Sequence, residues 1–121
     1  MSSRRKNPPS LQPRLRIVAG GVIAFGPGKA DLLRHIVGTG SIAAAARAMD
    51  MSYMRAWSLV QTMNGSFCEP LVETVRGSTG GGGARLTPTG EAVLKFYQEL
   101  EAAAVRATEA PWSGLSALLK G

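Results

Sequence analysis

The 121-residue chain carries 14 lysines and arginines against 8 acids, a formal net charge of +6, and 45% of its residues are apolar. That length supports one domain with a modest core, and the composition is globular rather than disordered. The basic excess suits a polyanion, whether DNA, RNA or an anionic membrane surface, and Arg4, Arg5, Lys6, Arg14 and Arg16 all precede the first acid, Asp31. A single cysteine, Cys68, and a single histidine, His35, leave no internal disulfide and no zinc cluster, and point to a reducing cytoplasm. The apolar run from Ile17 to Phe25 is too short for a membrane span and contains Gly20 and Gly21. A twin-arginine export signal is not expected, because Asn7, Pro8 and Pro9 stand where its apolar stretch should begin.

Residues 1 to about 13 combine Ser, Arg, Lys, Asn and Pro without apolar periodicity, which predicts a disordered basic arm. Leu15 to Ala19 and Val22 to Phe25 read as two short strands around Gly20-Gly21. Gly26-Pro27-Gly28 should break the chain before a helix from about Lys29 to Val37, with Leu32, Leu33, Ile36 and Val37 as its apolar stripe. Gly38-Thr39-Gly40 ends that helix.

Ser41 is placed to cap a second helix reaching about Met49, with Ile42, Ala45, Ala46 and Met49 inward. Its run of alanines lets a neighbouring helix approach closely. Asp50-Met51 forms a turn, and Ser52 caps a third helix to about Asn64, ended by Gly65. Ala56, Trp57, Leu59, Val60 and Met63 gather on its inner side; Met54, Arg55, Ser58, Gln61 and Thr62 gather on the outer one. That outer face is mid-sized and mostly polar with one arginine, which suits a groove lined by bases and phosphates better than a generic solvated helix does.

Leu71 to Val75 alternates like a strand, Arg76 to Gly83 is a loop, and Ala84-Arg85-Leu86 is the return strand. Thr87 caps a last helix with Pro88 at its first position, running to about Thr108 with Val93, Phe96, Tyr97, Leu100, Ala103, Ala104 and Ala107 as its stripe. Pro111 is expected to close it, leaving a short tail. The domain organisation expected is an arm over 1–13, a winged helix-turn-helix with a terminal helix over 14–110, and a tail over 111–121.

Gly28-Lys29 is followed by Ala30 and has Ile at position 23, so no Walker loop is present, and no GxGxxG pattern links a strand to a helix. A flexible linker is the alternative for Gly80 to Gly83, but too little chain follows for a second domain; the flanking strand and turn signals make it a wing, with Arg76 and Arg85 at its base able to reach backbone phosphate or the minor groove. The methionines at 49 and 63 read as core filler, Trp57 as a core anchor, and His35 as a structural or surface residue. No Ser, Cys or carboxylate pair has a plausible base or metal partner, so no enzyme, metal or cofactor is expected.

With these elements in place, GTGSIAAAARAMDMSYMRAWSLVQTMN, the LVE strand, the GGGGA wing and the LTPTGE helix start resemble the N-terminal DNA-binding domain of the molybdate-responsive regulators, the ModE family, from about Phe25 to Leu100. The element order and the LT-x-x-G start are shared with LysR-type regulators. The resemblance implies a mainly α fold with a small β wing, in which the third helix and wing contact duplex DNA and the terminal helices form a homodimer. The residues expected at the DNA are Ser52, Tyr53, Met54, Arg55, Ser58, Thr62, Arg76 and Arg85. Those expected at the dimer interface are Phe96, Leu100, Ala103, Ala104 and Ala107. Relatives continue into molybdate-binding domains whereas this sequence stops at Gly121, so a ModE-like regulator without ligand sensing is expected, cytoplasmic and nucleoid-associated. A winged-helix module that binds another protein and touches DNA only weakly is the alternative.

Overall fold

A computed structural model describes residues 7–76 and 82–120. Residues 7–13 form neither helix nor strand; the rest of the expected arm, and most of the expected wing loop, lie outside the described residues. The chain opens with a hairpin of β1 (Ile17–Ala19) and β2 (Val22–Phe25), paired antiparallel with Ala19 opposite Val22. Gly20 and Gly21 form its two-residue turn at φ 60° and 80°. Both values lie in the left-handed region, which the primed hairpin turns require and which glycine adopts without a Cβ clash.

Three helices follow: α1 (Pro27–Thr39), α2 (Ile42–Ala48) and α3 (Tyr53–Ser66). Helix α1 starts at Pro27 rather than Lys29, because proline at a first helical position sacrifices no hydrogen bond. Gly40, at φ 77°, stops it and donates its N–H to the Ile36 carbonyl at 2.8 Å. The Ser41 hydroxyl then accepts the Ala44 N–H at 2.9 Å, and Ser52 accepts that of Arg55 at 3.1 Å, so both caps form as the sequence predicts. Gly65 does not end α3; Ser66 is its last residue, with its hydroxyl bonded back to the Thr62 carbonyl.

The second sheet is the wing base, β3 (Val72–Val75) against β4 (Gly83–Leu86), antiparallel with Glu73 opposite Arg85. Two contacts dock it. The Asn64 side chain accepts the N–H groups of Leu71 and Val72 and donates to the Val72 carbonyl, fixing β3 to the end of α3. Ala84 donates its N–H to the Gly40 carbonyl at 2.8 Å, and a Cβ on Gly83 would stand 2.9 Å from that oxygen. Glycine at 83 thus lets the wing lie directly on the α1–α2 turn.

Helix α4 (Pro88–Ala107) begins on the Thr87 cap. Thr87 also donates its hydroxyl to Pro70 and its N–H to Leu71, which ties the helix start to the approach of β3. Pro111 does not end the helical region. It sits in the first turn of a further helix, α5 (Glu109–Ser116), where a missing N–H is harmless.

The core gathers Phe25, Leu32, Leu33, Ile36, Val60, Met63, Leu71 and Tyr97. Phe25 meets Tyr97 edge-on at 5.1 Å and Phe67 at 6.1 Å, and the Tyr97 hydroxyl donates to the Leu15 carbonyl at 2.7 Å. Arg34 on α1 bonds Asp31 and reaches Glu101 on α4. Two apolar residues depart from expectation. Val37 is exposed at the end of α1, and Trp57 is at the rim of the α3 core stripe rather than within it. Ala56, Val60 and Met63 alone fill the buried arc of that helix.

Candidate nucleic-acid interface

Helix α3 holds its inner arc against the core and turns Tyr53, Met54, Arg55, Ser58, Gln61 and Thr62 to solvent. Ser52 is the cap, so its oxygen is engaged with Arg55 N–H while its hydroxyl proton is left to donate outward. The Thr62 hydroxyl donates to the Ser58 carbonyl within the helix. The six expected α3 residues therefore share one exposed surface. Trp57 joins it: its ring stacks on Tyr53 one turn earlier, 6.4 Å between centroids and 15° from parallel. Sequence periodicity could not find this, because an aromatic at the edge of an apolar stripe fits either side.

The wing adjoins the start of α3. Tyr53 borders an open recess of about 540 Å³ together with Ser41, Arg47, Thr74 and Gly82. Arg47, in the last turn of α2, comes beside the wing only through the fold and carries no sequence signal of it. Arg76 and Arg85 are exposed at the wing base, and the Arg85 Nε donates to Glu73 Oε2 across the strands at 2.8 Å. That exposed pair engages one of the five guanidinium N–H donors of Arg85 and partly offsets its charge.

The opposite flank of α3 carries a second basic feature. Arg14, Arg16, Lys29 and Arg55 line an open cleft of about 380 Å³ between the hairpin, the start of α1 and the α2–α3 turn. Lys29 also donates to the Ile23 carbonyl at 2.7 Å, and burial lowers its pKa below the ordinary lysine value. The turn itself holds Asp50 at φ 56°, a left-handed conformation that a short polar side chain tolerates better than most.

On α4 the expected interface residues separate. Phe96, Leu100, Ala103 and Ala107 are exposed, Leu100 at 48%, while Ala104 is half-buried and borders an apolar cleft with Leu11, Pro13 and Leu15. Tyr97 of the same stripe is buried in the core. Beyond it, α5 and the residues after it expose Leu115, Leu118 and Leu119. Among the described residues, no three His, Cys, Asp or Glu side chains converge as a metal site, and no helix is long and apolar enough to cross a membrane.

Residues 29–91 match the bacterial regulatory helix-turn-helix proteins of the lysR family. The chain is 45% identical over 78 residues to the molybdenum-pterin-binding protein MopB of Rhodobacter capsulatus, covering 64% of this chain and 29% of that one. It is 42% identical over 74 residues to the transcriptional regulator ModE of Yersinia pestis, covering 61% and 28%. It thus spans about three-tenths of the length of these relatives, which are named as a binding protein and a regulator, not as enzymes. In fold it is similar to the DNA-binding domain in the crystal structure of the CbnR DNA complex, with a TM-score of 0.56 and 20% identity, covering 73% of this chain and 95% of that one.

Proposed function

This chain belongs to the bacterial regulatory helix-turn-helix proteins of the lysR family, and from that premise we propose that it is a sequence-specific, duplex-DNA-binding transcriptional regulator acting as a homodimer in the cytoplasm, on the nucleoid. The observation that carries this reading is the exposed face of α3, capped by Ser52 and flanked on both sides by arginines. A helix entering the major groove presents such a face to base edges and its flanks to the phosphates of the two strands. In this reading Tyr53, Met54, Arg55, Ser58 and Thr62 face the bases, with Arg55 bidentate to a guanine, and Arg76 and Arg85 meet phosphate or the minor groove. Phe96, Leu100, Ala103, Ala104 and Ala107 form the dimer face.

Selection of bound duplexes from a random-sequence pool tests the proposal. A reproducible two-fold-related sequence is expected, and Arg55→Ala should weaken binding to it by roughly 10- to 100-fold while changing random-sequence binding little. Recovery of no preferred sequence would overturn it.

The exposed aromatic pair Tyr53 and Trp57, with Met54 beside it, supports the second reading, a module that docks on another protein. Its mark would be weak binding to all duplexes alike.

A further inference from the structure

The cleft on the hairpin side of α3 has no part in the wing. Arg14 and Arg16 precede β1 two residues apart, a spacing that in extended chain puts both side chains on one face. They share the cleft with Lys29 at the start of α1 and Arg55 in the first turn of α3. None of its lining residues is a carboxylate: Asp50 lies between two of them, Met49 and Met51, without lining it. Asp31, the nearest acid along α1, is paired with Arg34. Four cations around one opening repel one another unless an anion sits among them, and the net charge of the chain offers no internal remedy. The cleft is open to solvent rather than an enclosed cavity, so it fits an anion presented on a rigid backbone better than a free small molecule.

We infer that this cleft is a backbone-phosphate site, in which Arg14 and Arg16 hold phosphates of the DNA strand across the major groove from the wing. The inference rests on the regulator reading above. With α3 in the groove, each flank of the helix faces one of the two phosphate walls, about 12 Å apart. The wing base with Arg76 and Arg85 serves one wall; the arginine cleft serves the other. Arg55 stands on the rim between the cleft and the base-reading face. Arg14 and Arg16 would thereby set the register of α3 without reading sequence.

The test is binding of the selected duplex and of random duplex, from 50 to 200 mM salt, by the wild-type chain, Arg14→Ala/Arg16→Ala and Arg14→Lys/Arg16→Lys. Loss of two phosphate contacts should reduce the slope of log K against log salt by about 1.8, so that the alanine variant loses about tenfold less affinity than wild type across that range. The selected sequence should stay the same, and the lysine variant should recover the slope. In parallel, neutral methylphosphonates placed singly along the duplex should weaken wild-type binding at two or so positions across from the wing and have no effect there on the alanine variant. The methylphosphonate scan on wild type needs no variant to fold. An unchanged slope, an altered base preference, or an absence of sensitive phosphates on that strand would overturn the cleft assignment while leaving the regulator reading intact. A wild-type chain that binds duplexes without any preferred sequence would overturn the regulator reading instead, and one that binds no duplex would overturn both.

Discussion

Gly90, in the first turn of α4, lies against the carbonyl group of Leu71 so closely that any Cβ at position 90 would collide with its oxygen and carbon and crowd its Cα. All three atoms are backbone, and the same carbonyl accepts the Thr87 N–H at 2.9 Å. Neither side can yield without moving the approach to the wing. Gly90→Ala should therefore lower stability by about 1–3 kcal/mol, as overpacking does, despite the better helix propensity of alanine. A thermal melt checks it: a variant as stable as wild type would show that α4 can slide away from β3.

Glu73 is expected to restrain the wing. Its carboxylate holds the Arg85 guanidinium across β3 and β4, and both side chains are largely exposed, so the pair contributes little to folding. At a DNA surface the balance differs, since the carboxylate that holds the Arg85 Nε offsets its charge and is itself repelled by phosphate. Glu73→Gln should leave the melting curve in place and tighten DNA binding by up to about fivefold. Weaker binding would mean that the ion pair orients Arg85 toward the phosphate rather than holding it back.

Phe96, Leu100, Ala103 and Ala107 recur along α4 at alternating intervals of four and three, the pattern of a seam between helices. All four are exposed in the single chain. Leu100→Glu with Ala103→Glu should give a monomer by sedimentation and weaken binding to a two-half-site duplex by roughly a hundredfold, while a single half-site is affected little. These positions are preferable to Ala104, which borders the groove beneath Leu11 and Pro13 and would disturb the chain's own packing. A wild-type chain that sediments as a monomer at micromolar concentration would remove the dimer proposal.

Burial, reinforced by Glu101 and opposed by Arg34, raises the pKa of Tyr97 above the ordinary tyrosine value. The fold therefore favours the neutral phenol. Its contribution is complete below the unfolded value of about 10, and it is lost as pH climbs from there through the folded value. Tyr97→Phe should flatten this alkaline limb of the stability profile. It should also cost about 1 kcal/mol at neutral pH, because the Leu15 carbonyl loses its donor. Identical alkaline limbs in the two proteins would assign the loss to other groups.

Much of the architecture was legible in the sequence because it depends on neighbours along the chain. The caps at Ser41, Ser52 and Thr87 each bond an N–H three residues ahead, and Gly20-Gly21 supplies a turn that few other pairs could adopt. Apolar spacing located the inner arc of α3 through Ala56, Val60 and Met63, and with it the exposed face. What depends on distant residues stayed hidden. Periodicity places Trp57 inside, yet only the packing of α3 within the fold decides where the edge of its buried arc falls, and Trp57 ends beside Val72 and Thr74 of β3. Asn64 reads as an ordinary helix-end polar residue until β3 arrives beside it with three backbone groups to satisfy. Pro111 reads as a stop, and its place in the first turn of α5 depends on where α4 ended. The cleft of Arg14, Arg16, Lys29 and Arg55 is invisible along the chain, since it forms only when the hairpin, α1 and α3 converge. Sequence determined the elements and the chemistry of the exposed face of α3 through local hydrogen bonding and burial period. Tertiary packing alone decided which charges stand together, because like charges are brought that close only by a core that holds their backbones in place.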